Sequence, residues 1–190
     1  MKIERAPLEG LLILEPQVFA DPRGFFYESY NEVKFREAGL DLHWRQDNHA
    51  KSIRGTVRGL HFQWGKGQAK LIRCVRGIVW DVAVDIRPGS PTLGRWHAVE
   101  LSEENKQMFF IPAGFAHGYA VMSAEAETLY KCSEVYNPKL EDSIRWNDPE
   151  IGVAWPVENP ILSERDQNAQ TFQEYLVNAR AAMRVQAVER

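Results

Sequence analysis

The stretch Gly77-Ile78-Val79-Trp80-Asp81-Val82-Ala83-Val84-Asp85 alternates with a period of two: Ile78, Trp80, Val82 and Val84 fall on one side, Val79, Asp81, Ala83 and Asp85 on the other. Successive side chains of a strand project to opposite faces, so this spacing predicts a half-buried β-strand. Weaker versions of the pattern cover residues 11–15, 24–30, 71–76, 96–101, 107–111, 118–122 and 127–133. Turn signals separate them: Asp21-Pro22-Arg23-Gly24, Arg54-Gly55, Gly65-Lys66-Gly67, Arg87-Pro88-Gly89-Ser90-Pro91, Pro112-Ala113-Gly114 and Asn137-Pro138. Many short strands with tight connections imply an all-β antiparallel sandwich or barrel. Helical spacing appears only at the margins, over residues 31–38 before Gly39 and at Phe172, Tyr175, Leu176 and Ala179, and neither segment carries candidate chemistry.

The 190 residues, 44% hydrophobic and 11% aromatic, suffice for one sizeable core. With no repeat or linker to divide the chain, residues 1–190 are expected to form a single domain whose tail frays beyond about residue 178. The 23 Lys and Arg against 26 Asp and Glu give a net charge of −3, which supplies no broad basic field for nucleic acid or an anionic membrane. An anionic ligand must therefore meet a local cluster of cations. No run of 18 apolar residues exists and the N-terminus lacks a signal-peptide pattern, so the expected location is cytoplasmic. Cys74 and Cys132 lie far apart without a CxxC spacing and read as ordinary buried thiols.

Polar residues interrupt segments that otherwise read as strands: Arg58-Gly59-Leu60-His61-Phe62-Gln63, Lys70, Pro112-Ala113-Gly114-Phe115-Ala116-His117 and Tyr130. Inward-facing polar side chains on several strands would line a pocket rather than a dry core. The stretch from Gly59 to Gly77, followed by Pro-x-Gly-x-x-His, resembles the two motifs of the cupin or jelly-roll superfamily. Metal-binding members offer His-x-His and a later Glu, whereas this chain has His61-Phe62-Gln63 and Lys70 where that Glu would stand. An ammonium repels a divalent ion, so the expectation is no metal and no cofactor. A metal-free chemistry suits the same residues. Removing a proton beside a ketone requires a base, a cation facing the enolate oxygen and an acid to return the proton, and His61, Lys70 and Tyr130 supply that set.

A closer resemblance rests on six segments in order: Asp21-Pro22-Arg23-Gly24-Phe25-Phe26-Tyr27-Glu28-Ser29, Gln46-Asp47-Asn48-His49, Val57–Gln63, Asp81-Val82-Ala83-Val84-Asp85-Ile86-Arg87, Ile111-Pro112-Ala113-Gly114-Phe115-Ala116-His117-Gly118 and Trp146-Asn147-Asp148. Together they make residues 1 to about 170 similar to the dTDP-4-dehydrorhamnose 3,5-epimerase family. The resemblance implies a homodimeric, cupin-type antiparallel β jelly roll with short peripheral helices. It further implies inversion of C3 and C5 of dTDP-4-dehydro-6-deoxy-glucose, both of which flank the C4 ketone, on the way to dTDP-rhamnose. By the same resemblance His61 is the proton acceptor, with Asp166 as its carboxylate partner, Tyr130 is the proton donor and Lys70 faces the C4 oxygen. Arg23, Gln46, Asn48 and Arg58 would bind nucleotide and diphosphate, Glu28 the thymine or ribose end, His117 and Tyr136 the sugar, with Glu141 and Arg165 as further contacts. Arg165 stands where the family often has Lys, which keeps the charge and changes its geometry. Phe26 and Tyr27 offer an aromatic face for the base.

Each residue has a plainer reading. A strand histidine alone is most often structural, lone Lys70 and Arg58 read as surface cations, and Arg23-Gly24 reads as a turn. Tyr130 and Tyr136 lie at even spacing and compete for the acid role, which the resemblance gives to Tyr130. His43, His49 and His97 read as structural and the tryptophans as packing. The rival functions are a relative that inverts only C3 or only C5 or shifts the ketone, a metal-dependent cupin oxygenase, and a sugar-nucleotide-binding module without turnover.

Overall fold

The computed structural model describes residues 1–188; residues 189 and 190, the end of the expected single domain, lie outside the described residues. In chain order the elements are β1 (Lys2–Arg5), β2 (Leu12–Glu15), β3 (Phe19–Asp21), β4 (Gly24–Phe26), α1 (Glu32–Glu37), β5 (Gln46–Ile53), β6 (Val57–Gln63), β7 (Lys70–Arg76), β8 (Ile78–Asp85), β9 (Trp96–Ser102), β10 (Met108–Ile111), β11 (Phe115–Val121), β12 (Glu125–Cys132), β13 (Glu141–Ser143), α2 (Glu164–Gln167) and α3 (Phe172–Val188). The last helix thus continues past the point near residue 178 where fraying was expected.

Two antiparallel sheets form the body, one ordered β1-β2-β10-β7-β12-β5 and the other β13-β6-β11-β8-β9; β3 and β4 make a separate hairpin. From β5 to β8, and again from β10 to β13, consecutive strands alternate between the two sheets, which is the winding of a jelly roll. The sheets close on a shared core, with Ile72, Cys74, Phe109, Ile111 and Ala126 from one against Val79, Ala83, Leu101, Phe115, Tyr119 and Val121 from the other.

The alternation of β8 is present, but the strand is buried on both faces, not half-buried. Its outward side chains Val82 and Val84 pack under Phe172, Tyr175 and Ala179 of α3, and Trp80 meets Trp96 and Trp155 edge to face. Trp146 in turn packs on Trp155, and Trp64 lies flat against Tyr175. The helix that covers β8 lies some ninety residues downstream, so the local pattern carries no trace of it. The other sheet is covered by α1, whose Asn31 cap accepts the Lys34 N–H and whose Phe35 is buried with Leu71, Met108 and Phe110.

Five elements escaped the sequence reading: β1, β3, β5, β13 and α2. β5 shows no apolar alternation because it is an edge strand facing a polar interior on one side; outward it carries the Lys51–Glu125 ion pair and a hydrogen bond between His49 and Glu127. α2 is a single turn begun by Ser163, whose side chain accepts the Asp166 N–H. The strand expected over residues 24–30 shortens to the three residues of β4.

Candidate active site

The polar side chains of the strands gather on the inner faces of the two sheets. His61 on β6 and His117 on β11 occupy partnered positions in one sheet. They can do so because β6 and β11 approach very closely at Gly59, whose φ is 110°. A Cβ there would lie 2.5 Å from the His117 carbonyl oxygen, so no other residue fits without moving a strand.

Each histidine has its own carboxylate. His61 Nε2 lies 2.5 Å from Asp166 Oδ1, and His117 Nε2 lies 3.0 Å from both oxygens of Asp81, which β8 places on the same inner face. Asp166 is itself held by the Ser163 hydroxyl, which donates to Oδ2 at 2.8 Å. Burial pushes the Asp166 pKa up, but the bonds from His61, Ser163 and the Gly59 N–H outweigh it and hold the carboxyl below its ordinary value. His117 is fully enclosed, and burial lowers its pKa despite the neighbouring Asp81.

The opposite wall belongs to the other sheet. Lys70 on β7 and Cys132 on β12 are partnered residues, both buried, and Tyr130 lies two residues before Cys132 on the same face. Burial lowers the Lys70 pKa, partly offset by the neighbouring Cys132, Asp81 and Glu141. Burial also pushes the Tyr130 phenol up to about 12. On β5, Gln46 donates to Asn48 Oδ1 at 2.9 Å and Asn48 donates to Cys132 Sγ at 3.4 Å. Arg58 donates to Ser52 Oγ at 3.0 Å and lies near enough to Tyr130 to favour its phenolate. At the rim Glu141 pairs with Arg165, and the Glu141 carboxylate beside the Tyr136 hydroxyl raises the pKa of that phenol.

Eleven of the thirteen sequence-derived residues therefore group around this interior, and two do not. Arg23 is 90% exposed and bonds Asp21 in its own turn, and Glu28 bonds Asn31 and Lys34. Sequence reasoning overlooked Asp81, Ser163 and the place of Cys132, which is buried but lies within the site. Asp81 carried a signal, being a charge in the middle of an otherwise apolar strand.

Chemically, the interior offers a carboxylate-backed imidazole on one wall, a neutral phenol on the other and a buried lysine beside them. A family model described as dTDP-4-dehydrorhamnose 3,5-epimerase matches residues 5–174. The dTDP-4-dehydrorhamnose 3,5-epimerase of Shigella flexneri is 51% identical over 90% of this chain and 96% of its own length. The dTDP-4-dehydrorhamnose 3-epimerase of Streptomyces niveus is 41% identical over 89% of this chain and 83% of its own. Among solved structures, the dTDP-6-deoxy-D-glucose-3,5-epimerase of Legionella pneumophila, in complex with dTDP-4-keto-L-rhamnose, matches with a TM-score of 0.88 and 45% identity, covering 90% of this chain and 93% of that one. On sequence, fold and similarity together, the chain belongs to the dTDP-4-dehydrorhamnose 3,5-epimerase family of isomerases.

Proposed function

We propose that this chain inverts C3 and C5 of dTDP-4-dehydro-6-deoxy-D-glucose to give dTDP-4-dehydro-L-rhamnose, without cofactor, in the biosynthesis of dTDP-rhamnose. The observation that carries the reading is the placement of His61 and Tyr130 on opposing sheets. A base on one wall and an acid on the other approach the sugar ring from two sides, and proton return from the second side inverts the carbon.

In this mechanism His61 takes the proton from C3, and the C–H electron pair moves into the C3–C4 bond as the carbonyl pair moves onto the C4 oxygen. Lys70 faces that oxygen, where a buried ammonium stabilises the enolate more than the neutral ketone. Tyr130 then donates its proton to C3 from the other face while the ketone re-forms. The imidazolium loses its proton and the phenolate regains one from solvent, and the sequence repeats at C5. Asp166 accepts the Nε2–H of His61, which leaves Nδ1 as the basic nitrogen and stabilises the imidazolium. His117, held by Asp81, and Tyr136 contact the sugar; Gln46, Asn48 and Arg58 bind the nucleotide and diphosphate part, with Glu141 and Arg165 as further contacts at the rim.

The reading includes a homodimer in the cytoplasm built from one domain per chain. Self-association is supported by the β3–β4 hairpin, which pairs with neither sheet and exposes Phe19, Phe25 and Phe26. Arg23 and Glu28, remote from their own site, would reach ligand only in such an assembly.

The second reading, inversion at C3 alone, is favoured by the similarity to the Streptomyces niveus 3-epimerase. Incubation with the keto sugar in heavy water separates the two. Deuterium at both C3 and C5 by proton NMR is expected, label at C3 alone identifies the single-site relative, and no label overturns the enolisation mechanism.

A further inference from the structure

Gln63 lies on β6 two residues beyond His61, where a metal-binding cupin would carry its second histidine. Its amide turns to the segment 134–137: Oε1 accepts the Asn137 N–H at 3.1 Å, and Nε2 lies 3.5 Å from the Val135 carbonyl oxygen, at the outer limit of a hydrogen bond. Two more glutamines hold the same segment. Gln46 on β5 accepts the Tyr136 N–H at 2.7 Å, and Gln68, just before β7, donates to the Glu134 carbonyl at 2.7 Å. Four consecutive residues without regular structure are thus tied through their backbone to side chains from both sheets.

This segment is a strap that leaves β12 in one sheet and leads to β13 in the other. Apolar burial does not hold it, since Val135 and Tyr136 are 57% and 50% exposed. The amides do, and a neutral amide is the suitable group. A carboxylate could accept the same N–H bonds, but it would add negative charge where an anionic ligand must enter.

We propose that Gln63 is a positioning residue for the epimerase: with Gln46 and Gln68 it fixes the 134–137 strap, sets the height of the Tyr136 ring over the bound nucleotide sugar, and so governs how tightly substrate is held. The inference rests on the epimerase reading of the same site. It gives a function to the residue that departs most plainly from the metal-binding pattern.

Gln63→Met keeps the length of the side chain and removes its donor and acceptor. The expected result is a KM raised about tenfold, with kcat changed less than about twofold. In a Tyr136→Ala background the same substitution should change KM by less than about twofold, because the ring through which it acts is gone. Native-state amide exchange at Tyr136 and Asn137 should accelerate by about tenfold in Gln63→Met. A full KM effect persisting without Tyr136, or a loss confined to kcat, overturns the proposal. Unchanged exchange at Asn137 overturns the strap itself, whatever the substrate. Failure of the epimerase reading appears separately, as absence of deuterium at C3 and C5 with the unaltered protein, and the assigned role of the Tyr136 ring falls with it.

Discussion

His61 Nε2 and Asp166 Oδ1 lie 2.5 Å apart although 105 residues separate them in the chain. The short α2 turn begun by Ser163 carries the carboxylate to the back of β6 and holds its second oxygen. This geometry sets the tautomer of the imidazole, and the first expectation follows from it.

Asp166→Asn replaces an acceptor by an amide that can donate to Nε2, which leaves the proton on Nδ1. We expect kcat to fall by about 10³ to 10⁴, with dTDP binding measured by calorimetry unchanged. Loss of dTDP binding of similar size would assign Asp166 a ligand-holding role instead.

Tyr130 is pushed up to about 12 by burial, so it is neutral and able to donate throughout the working range. In Tyr130→Phe, deuterium should still exchange into the sugar while inverted product forms about a hundredfold more slowly. Equal loss of exchange and inversion would point to another donor.

The part of the fold carried by local pattern was legible in the sequence. β8 is visible in its alternation, and the first helix in the segment from Asn31 to Gly39, where the Asn31 cap obeys ordinary helix chemistry. What arises from distant covering was not legible: β8 looks half-buried until α3 folds over it, and β5 looks like a loop because its polar interior face answers to the site. Of the site, His61, Lys70, His117 and Tyr130 stood out as polar residues in strands. Asp166 required the family resemblance, since no spacing rule joins residues so far apart, and the use of Gln63 depends on a strap that exists only after both sheets have met.

Lys70 titrates below an ordinary lysine because burial disfavours its charge. Its ammonium is present below that lowered pKa and is lost as pH rises through it, so kcat should fall on the alkaline side before an exposed lysine would titrate. Tyr130, at about 12, does not contribute to this limb. Lys70→Arg should remove the limb from the pH profile, and its persistence at the same pH would assign it to another group.

Asp85 is fully buried, and although burial raises its pKa, bonds from Arg87, Ser90 and Thr92 outweigh this and lower it to about 2. A depressed carboxyl contributes its stability above the unfolded value of 3.8 and loses it as pH falls through the folded value. The contribution is about 2 kcal/mol, so thermal stability should decline between pH about 4 and about 2. Asp85→Asn should melt lower at neutral pH and show a flatter acid dependence.

The six tryptophans all lie outside the inner faces of the sheets. Trp64, Trp80, Trp96 and Trp155 belong to the layer beneath α3, Trp146 packs on Trp155, and Trp44 meets Phe110 on the far side. Intrinsic fluorescence of this protein consequently reports its two outer coats: emission follows the peeling of the last helix and stays nearly silent as a nucleotide sugar fills the interior, so optical titration of the ligand calls for a probe attached near the rim.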